Sequence, residues 1–300
     1  MTVDELIRVM SARLADAGVE TPRIDAKLLY GHVFGLDLSG VDKAMLLGER
    51  LDNDDPATAA KLAELDGLVA RRVAREPLQH IVGHVPFRYL DLKVGRGVFV
   101  PRQETELVVQ EAIDWMTGHG LYSPRVVDLC AGSGAIGLSV AAEVPGAQVW
   151  GVEIDPVAAK WTRANIDEVA RTHPDVEFNY HLECADATSD VTLAQLDGTV
   201  DVVISNPPYI PDADVPEQPE VTGYDPHRAL FGGSADGMMI PEQIIRRAYR
   251  LLRPGGLLVM EHDITQADRT VMFAHAVGFA DAHTNMDYTG RPRYLVAIKG

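Results

Sequence analysis

Cysteine is scarce in this chain. Cys130 and Cys184 are the only two in 300 residues, which excludes a disulfide framework. Each sits in or beside an apolar stretch, so both are expected to be small buried hydrophobes. No apolar run approaches the roughly 18 residues that a membrane-spanning helix needs. The first ten residues carry Asp4 and Glu5 without an apolar core segment, so they do not read as a secretory signal. Basic clusters are also lacking. Arg71-Arg72 and Arg246-Arg247 are adjacent pairs in helical patterns, expected on solvated faces. The formal net charge is -17. A field of that sign repels nucleic acid, and it suits equally a basic protein partner or a surface that only maintains solubility. The expected location is the cytoplasm, with no membrane and no direct nucleic-acid binding.

What is present is a change of pattern along the chain. Residues 3–17 have helical spacing, with Leu6, Val9, Met10, Arg13 and Leu14 near one face. Thr21-Pro22 and Asp55-Pro56 each pair a capping residue with a first-turn proline, a helix-start signature. The second opens a stripe of Leu62, Leu65, Leu68 and Val69. Residues 1–75 are therefore expected to be a small helical bundle. From Leu78 to Val100 the pattern alternates, with turn glycines Gly83, Gly95 and Gly97. That predicts a β-hairpin linker over 76–100. The remainder, 101–300, reads as an α/β domain. Strands are expected at 126–129, 148–153, 176–181, 200–205 and 257–261, the last after a tight turn at Arg253–Gly256. Two more are expected around Phe279 and Tyr294–Ile298. This is a doubly wound sheet ending in an antiparallel hairpin, with ligands bound beyond the carboxyl ends of its strands.

Two motifs fall at such strand ends. The first is Asp128-Leu-Cys130-Ala131-Gly132-Ser133-Gly134-Ala-Ile-Gly137. Its glycines let backbone approach a ligand, and the following helix offers free N–H groups. A dinucleotide pyrophosphate and the carboxylate of S-adenosylmethionine fit equally well. Glu153, about 20 residues on, is placed to take both ribose hydroxyls of either ligand; Asp155 is the second choice. Asp186 is placed to accept from an adenine amino group.

The second motif is Asn206-Pro207-Pro208-Tyr209, after the apolar run Val202–Ser205. Neither proline can donate a hydrogen bond, and each has a locked φ. The strand must stop in a rigid corner that presents a carboxamide, free carbonyls and an aromatic face. Such a corner holds a planar group bearing an NH2. Hydride transfer would instead need a proton donor near the substrate carbon. His227 and His262 have no evident partner for that task. The corner therefore selects methyl transfer to nitrogen, while leaving an amide and a nucleobase both open.

The chain resembles the protein-(glutamine-N5) methyltransferases, the HemK/PrmC type that modify peptide chain release factors, over nearly its whole length. The matching segments are Glu76–Gly83, Pro101-Arg-Gln-Glu-Thr-Glu106, Asp128–Gly134, Asn206–Ile210, Arg228–Gly233 with Asp236-Gly237, and Gly290–Arg293. The resemblance implies a class I S-adenosylmethionine-dependent methyltransferase fold, a Rossmann-like seven-stranded sheet with terminal antiparallel strands. It implies S-adenosyl-L-methionine as cofactor, S-adenosyl-L-homocysteine as product, and no metal. Asp128 and the backbone from Cys130 to Gly134 would lie along the methionine part, Glu153 at the ribose, and Asp186 with Ala187 at the adenine. Asn206 and the Pro207 carbonyl would hold the glutamine amide beside the cofactor, Pro208 would stiffen the corner, and Tyr209 would line the slot. Phe99 and Arg102 would stand near its mouth. The implied substrate is the glutamine of a release factor's Gly-Gly-Gln loop, gripped by the helical bundle. A ribosomal-protein glutamine and an exocyclic amine of DNA or RNA are the alternatives. Two stretches depart from the family pattern: Glu261-His262-Asp263 and Val221–Pro226.

Overall fold

A computed structural model describes residues 1–300. The chain divides into two units, Met1–Gly83 with Glu217–Tyr224, and His84–Pro216 with Asp225–Gly300.

The first unit is helical: α1 (Val3–Asp16), α2 (Pro22–Phe34), α3 (Leu38–Leu46), α4 (Pro56–Val73) and α5 (Leu78–Val82). A helix from much later in the chain, Pro219–Tyr224 (α10 in chain order), belongs to the same unit. α1 begins with a capping box, Thr2 and Glu5 each accepting from the other's backbone N–H, which satisfies two otherwise unpaired donors. Its buried residues are Val3, Ile7, Met10 and Leu14, a spacing of four, three and four. Val9 is exposed and Leu6 half-buried, so the buried stripe is rotated from the expected one. α4 starts where Asp55-Pro56 indicated, with the Asp55 carboxylate accepting from Thr58 N–H at 2.9 Å.

Charge enters this unit at the end of α4. Arg72, expected in solvent, is buried. Its Nε donates to Asp25 at 2.7 Å and its Nη1 to Glu220 at 2.8 Å. Arg75 adds a fork onto both oxygens of Glu220, each at 2.7 Å. Burial opposes ionisation of Glu220, but Arg75 and Arg72 outweigh it and hold the carboxyl down at about 2.

The second unit opens with the hairpin, β1 (His84–Phe87) and β2 (Leu90–Lys93), paired antiparallel. It is shorter than expected because residues 78–82 are helical, closed by left-handed Gly83. Then follow α6 (Gln103–Gly118), β3 (Arg125–Leu129), α7 (Ala135–Glu143), β4 (Gln148–Val152), α8 (Pro156–Val169), α9 (Val176–Asn179), β5 (Tyr180–Glu183) and β6 (Val200–Ser205). After α11 (His227–Leu230) come α12 (Met239–Leu251), β7 (Leu252–Glu261), α13 (Ala267–Val277), β8 (Phe279–Met286) and β9 (Pro292–Lys299). The strand expected at 176–181 is a helical turn followed by β5. Asn179 N–H closes that turn on the Asp175 carbonyl. The expected turn at Arg253–Gly256 is a bulge within β7: Val200 faces Leu252, but Val202 faces Leu257.

The sheet runs β5-β4-β3-β6-β7-β9-β8. The first five strands pair in parallel, and β9 alone is reversed, pairing antiparallel with β7 on one side and β8 on the other. Both faces are covered, and side chains alternate along each strand. Val126, Val202, Ile204, Leu257 and Val259 face one core, with α6 and α7. Val127, Val203, Leu258 and Met260 face the other, with α12. Each such side chain contributes about 1.5–3 kcal/mol by burial. The chain reverses direction across the sheet beside β3: β4 and β5 lie on one side, β6 on the other. That switch point is where a doubly wound sheet leaves a crevice.

Candidate active site

The two motifs meet at this crevice. Leu129 and Ser205 are paired in register, so Cys130 and Asn206 leave the sheet side by side. Ser205 Oγ donates to the Leu129 carbonyl at 2.6 Å and locks the two strand ends together.

On the β3 side the loop alternates through left-handed backbone at Cys130 (φ 69°), Gly132 (φ 58°) and Gly134 (φ 85°). Gly134 is also short of space: a Cβ there would stand 2.9 Å from Thr162 Cγ2. Cys130, the non-glycine, bears a strain of about 1 kcal/mol. Thr162 Oγ1 donates to the Gly132 carbonyl and Asn165 Nδ2 to the Ser133 carbonyl, so α8 holds the loop from behind. Glu153 is buried, and its two oxygens accept from Gly132 N–H at 2.8 Å and Asp155 N–H at 2.7 Å. Burial raises its carboxyl, with those N–H groups opposing. Asp155 is spoken for as the cap of α8. Asp128 is fully buried; one oxygen accepts from Gly137 N–H at 2.9 Å and the other has no partner. Burial pushes its carboxyl up to about 7, with Glu153 adding to the rise. Cys130, expected to be buried, is half-buried, and desolvation raises its thiol. Cys184, expected to be buried, is exposed. Asp186 is exposed and accepts from Thr188 N–H and Oγ1, while Ala187 is buried beside it.

On the β6 side, Asn206 Nδ2 donates to Thr105 Oγ1 at 3.2 Å. Thr105 donates to Glu261 Oε2 at 2.7 Å, and the Tyr209 hydroxyl donates to Glu261 Oε1 at 2.9 Å. Glu261 ends β7, next to β6 in the sheet. Burial raises its carboxyl, opposed by the Thr105 and Tyr209 hydrogen bonds. Burial and Glu261 hold the Tyr209 phenol well above its ordinary range, so it stays protonated. Gln266 Nε2 fixes the Tyr209 carbonyl at 2.8 Å, and Tyr209 N–H donates to Leu230. Pro207 is buried and Pro208 half-buried. Asn206 Oδ1 and the Pro207 carbonyl accept no hydrogen bond from the protein.

Phe99 and Arg102 form a separate cluster. The Arg102 guanidinium lies 5.1 Å from the Phe99 ring centroid and reaches Asp225 at 3.0 Å. Burial pushes Asp225 up to about 6 against the pull of Arg102. This cluster connects to the corner through α6, whose first turn carries Thr105; Thr105 N–H donates to the Arg102 carbonyl. His262 is buried between the Asp263 carbonyl and Thr284, and His227 stacks on Phe231. Neither is hydrogen-bonded to the corner. Sequence reasoning missed Thr105 and Glu261 as site residues. Thr105 lay in a matching segment. The signal for Glu261 was a carboxylate closing an apolar strand.

This sheet order and its switch-point crevice define a class I S-adenosylmethionine methyltransferase-like α/β fold. A T. thermophilus 16S rRNA N2 G1207 methyltransferase, solved in complex with AdoMet and guanosine, shares it. The TM-score is 0.51 at 18% identity, covering 72% of this chain and 50% of that one. Residues 5–83 match the PrmC N-terminal domain and residues 109–218 the methyltransferase small domain. The chain is 60% identical over 298 residues to the release factor glutamine methyltransferase of Bifidobacterium longum, covering 99% of this chain and 100% of that one. Its counterpart in Streptomyces coelicolor is 44% identical over 289 residues, covering 96% and 94%. The chain belongs to the release factor glutamine methyltransferase family. No helix is long and apolar enough to cross a membrane.

Proposed function

We propose that the protein transfers a methyl group from S-adenosyl-L-methionine to the side-chain amide nitrogen of the glutamine in a release factor's Gly-Gly-Gln loop. The observation that carries this reading is the pairing of Leu129 with Ser205, which sets two unfilled acceptors, Asn206 Oδ1 and the Pro207 carbonyl, beside the glycine loop. The crevice suits the cofactor chemically. It offers a left-handed loop at the start of α7, a buried carboxylate at Glu153, and one unpartnered buried oxygen on Asp128. Asp128 and the backbone from Cys130 to Gly134 would hold the methionine part, and Glu153 the ribose. Asp186 and Ala187 would stand at the adenine.

When bound, the cofactor would supply an electrophilic methyl on a sulfonium, with a neutral thioether as its leaving group. The chain's own part is orientation. An amide nitrogen is a poor nucleophile because its lone pair is shared with the carbonyl. Asn206 Oδ1 and the Pro207 carbonyl each accept one N–H, which aims the nitrogen and stabilises positive charge as it develops there. Tyr209, protonated and held by Glu261, serves as slot wall and not as base. The proton then leaves to water. The helical unit is assigned to gripping the body of the release factor, and the net charge of -17 suits a basic partner surface.

The test uses labelled S-adenosylmethionine with release factor, ribosomal protein, DNA and RNA in separate reactions. Incorporation into release factor that disappears when the Gly-Gly-Gln glutamine is replaced supports the proposal. Label found only in nucleic acid or ribosomal protein overturns it.

A further inference from the structure

A carboxamide is nearly symmetric in shape and opposite in polarity at its two ends. An Asn206 that held a substrate NH2 would work in only one of its two orientations. Nothing in the Asn-Pro-Pro-Tyr sequence selects that orientation.

The selection comes from two residues on other elements. Glu261 is 2% exposed, and each of its two oxygens accepts a hydroxyl, one from Thr105 and one from Tyr209. It takes the single hydroxyl proton of Thr105 at 2.7 Å. The Thr105 oxygen is then left with lone pairs alone. Toward Asn206 it can only accept, so the carboxamide must turn its NH2 to Thr105, 3.2 Å away. Oδ1 is thereby left on the side away from Thr105, where it accepts no hydrogen bond from the protein. The second oxygen of Glu261 takes the Tyr209 hydroxyl, so the same carboxylate also fixes the aromatic wall. Thr105 is buried on α6 and Glu261 closes β7. Neither is free to follow a wrongly turned amide.

We infer that Thr105 and Glu261 are positioning residues that set the polarity of the amide clamp, through the one-way chain Asn206 to Thr105 to Glu261. This rests on the assignment of Asn206 as the residue that holds the substrate amide. Replacing the carboxylate by an amide lets the chain reverse. A glutamine NH2 can donate to Thr105, Thr105 can donate to Asn206, and Oδ1 then turns away from substrate.

The experiment compares full-length Thr105→Val, Thr105→Ser, Glu261→Gln and Asn206→Ala in methyl transfer to release factor, with cofactor affinity by calorimetry and melting temperature alongside. Thr105→Val keeps the shape and removes the hydroxyl. It is expected to lower kcat about 10- to 100-fold, with KM for release factor and cofactor Kd within about three-fold of wild type. Thr105→Ser is expected to restore most of the turnover, and Glu261→Gln to lose kcat in the same manner as Thr105→Val. Wild-type kcat in Thr105→Val beside an inactive Asn206→Ala overturns the positioning inference and leaves the clamp standing. So does a Thr105→Val whose kcat, cofactor affinity and melting temperature fall together without rescue by serine. Normal turnover in Asn206→Ala overturns the clamp itself.

Discussion

The anchor in the helical unit and the crevice of the α/β unit hold their carboxylates in different ways. In the helical unit Glu220 receives a two-pronged contact from Arg75 and a third from Arg72, which is itself paired with Asp25. Its carboxyl is held down at about 2, charged near neutrality, and ties a helix of the chain's second half to α4. In the α/β unit Asp128 meets one N–H, Glu153 two, and Glu261 two hydroxyls. None of the three has an arginine hydrogen-bonded to it, and burial raises all three. Ion pairs suit an anchor because they remain charged across the working pH range. Neutral donors suit an active site because they fix direction without adding a strong field beside a cationic cofactor.

The sharpest way to break this contrast is at the corner. Asn206→Ala should lower kcat by about 10²–10³-fold, the usual loss when one oriented polar group facing developing charge is removed. Cofactor Kd measured by calorimetry should stay near wild type. If affinity fell with turnover, Asn206 would belong to the cofactor pocket and not to an acceptor clamp.

Next in size is Glu153→Ala. It strips Gly132 and Asp155 N–H of their acceptor, a cost of about 1–3 kcal/mol for each donor left buried. Cofactor affinity should fall and the apo protein should melt earlier. An unchanged apo melt would mean that the glycine loop does not depend on Glu153.

The anchor should respond differently. Glu220→Gln is expected to destabilise by about 1–2 kcal/mol, solvent screening keeping the loss below that of a fully buried pair. The sign with pH is fixed. A depressed carboxyl contributes stability above its unfolded pKa and loses it as pH falls through the folded one. The gap between wild type and Glu220→Gln should therefore be full near neutrality and close from about 4.5 toward about 2. Denaturant melts across that range provide the check.

Asp225 should give the smallest effect, with the opposite slope. Its carboxyl is raised to about 6, so the folded state binds more protons than the unfolded one between about 4 and 6. Stability should fall as pH rises through that window, by on the order of 1 kcal/mol, and Asp225→Asn should flatten the slope. A slope that persists in the variant would assign it to another group.

Legibility in the sequence followed the range of the interactions. The glycine loop and the Asn-Pro-Pro-Tyr corner were readable because proline and glycine act on their own φ angles. Helix starts at Pro22 and Pro56 were readable for the same reason. Less readable were places where an apolar run fits two conformations. Residues 176–179 carry a buried valine but close as a helical turn. Residues 78–82 alternate but coil before Gly83. Arg72 looked like a solvated arginine because its partners lie 47 and 148 residues away.

By itself, the sequence determined the order of the seven strands of the large sheet, the strained loop after β3, and the rigid stop after β6, all properties of neighbouring residues. Only the tertiary structure decided that Leu129 and Ser205 stand in register, that Glu220 returns to the helical unit, and that Thr105 and Glu261 converge on Asn206. These are pairings across 76, 145, 101 and 156 residues. No local pattern encodes a hydrogen bond of that span; it exists once the sheet and its covering helices have closed around it.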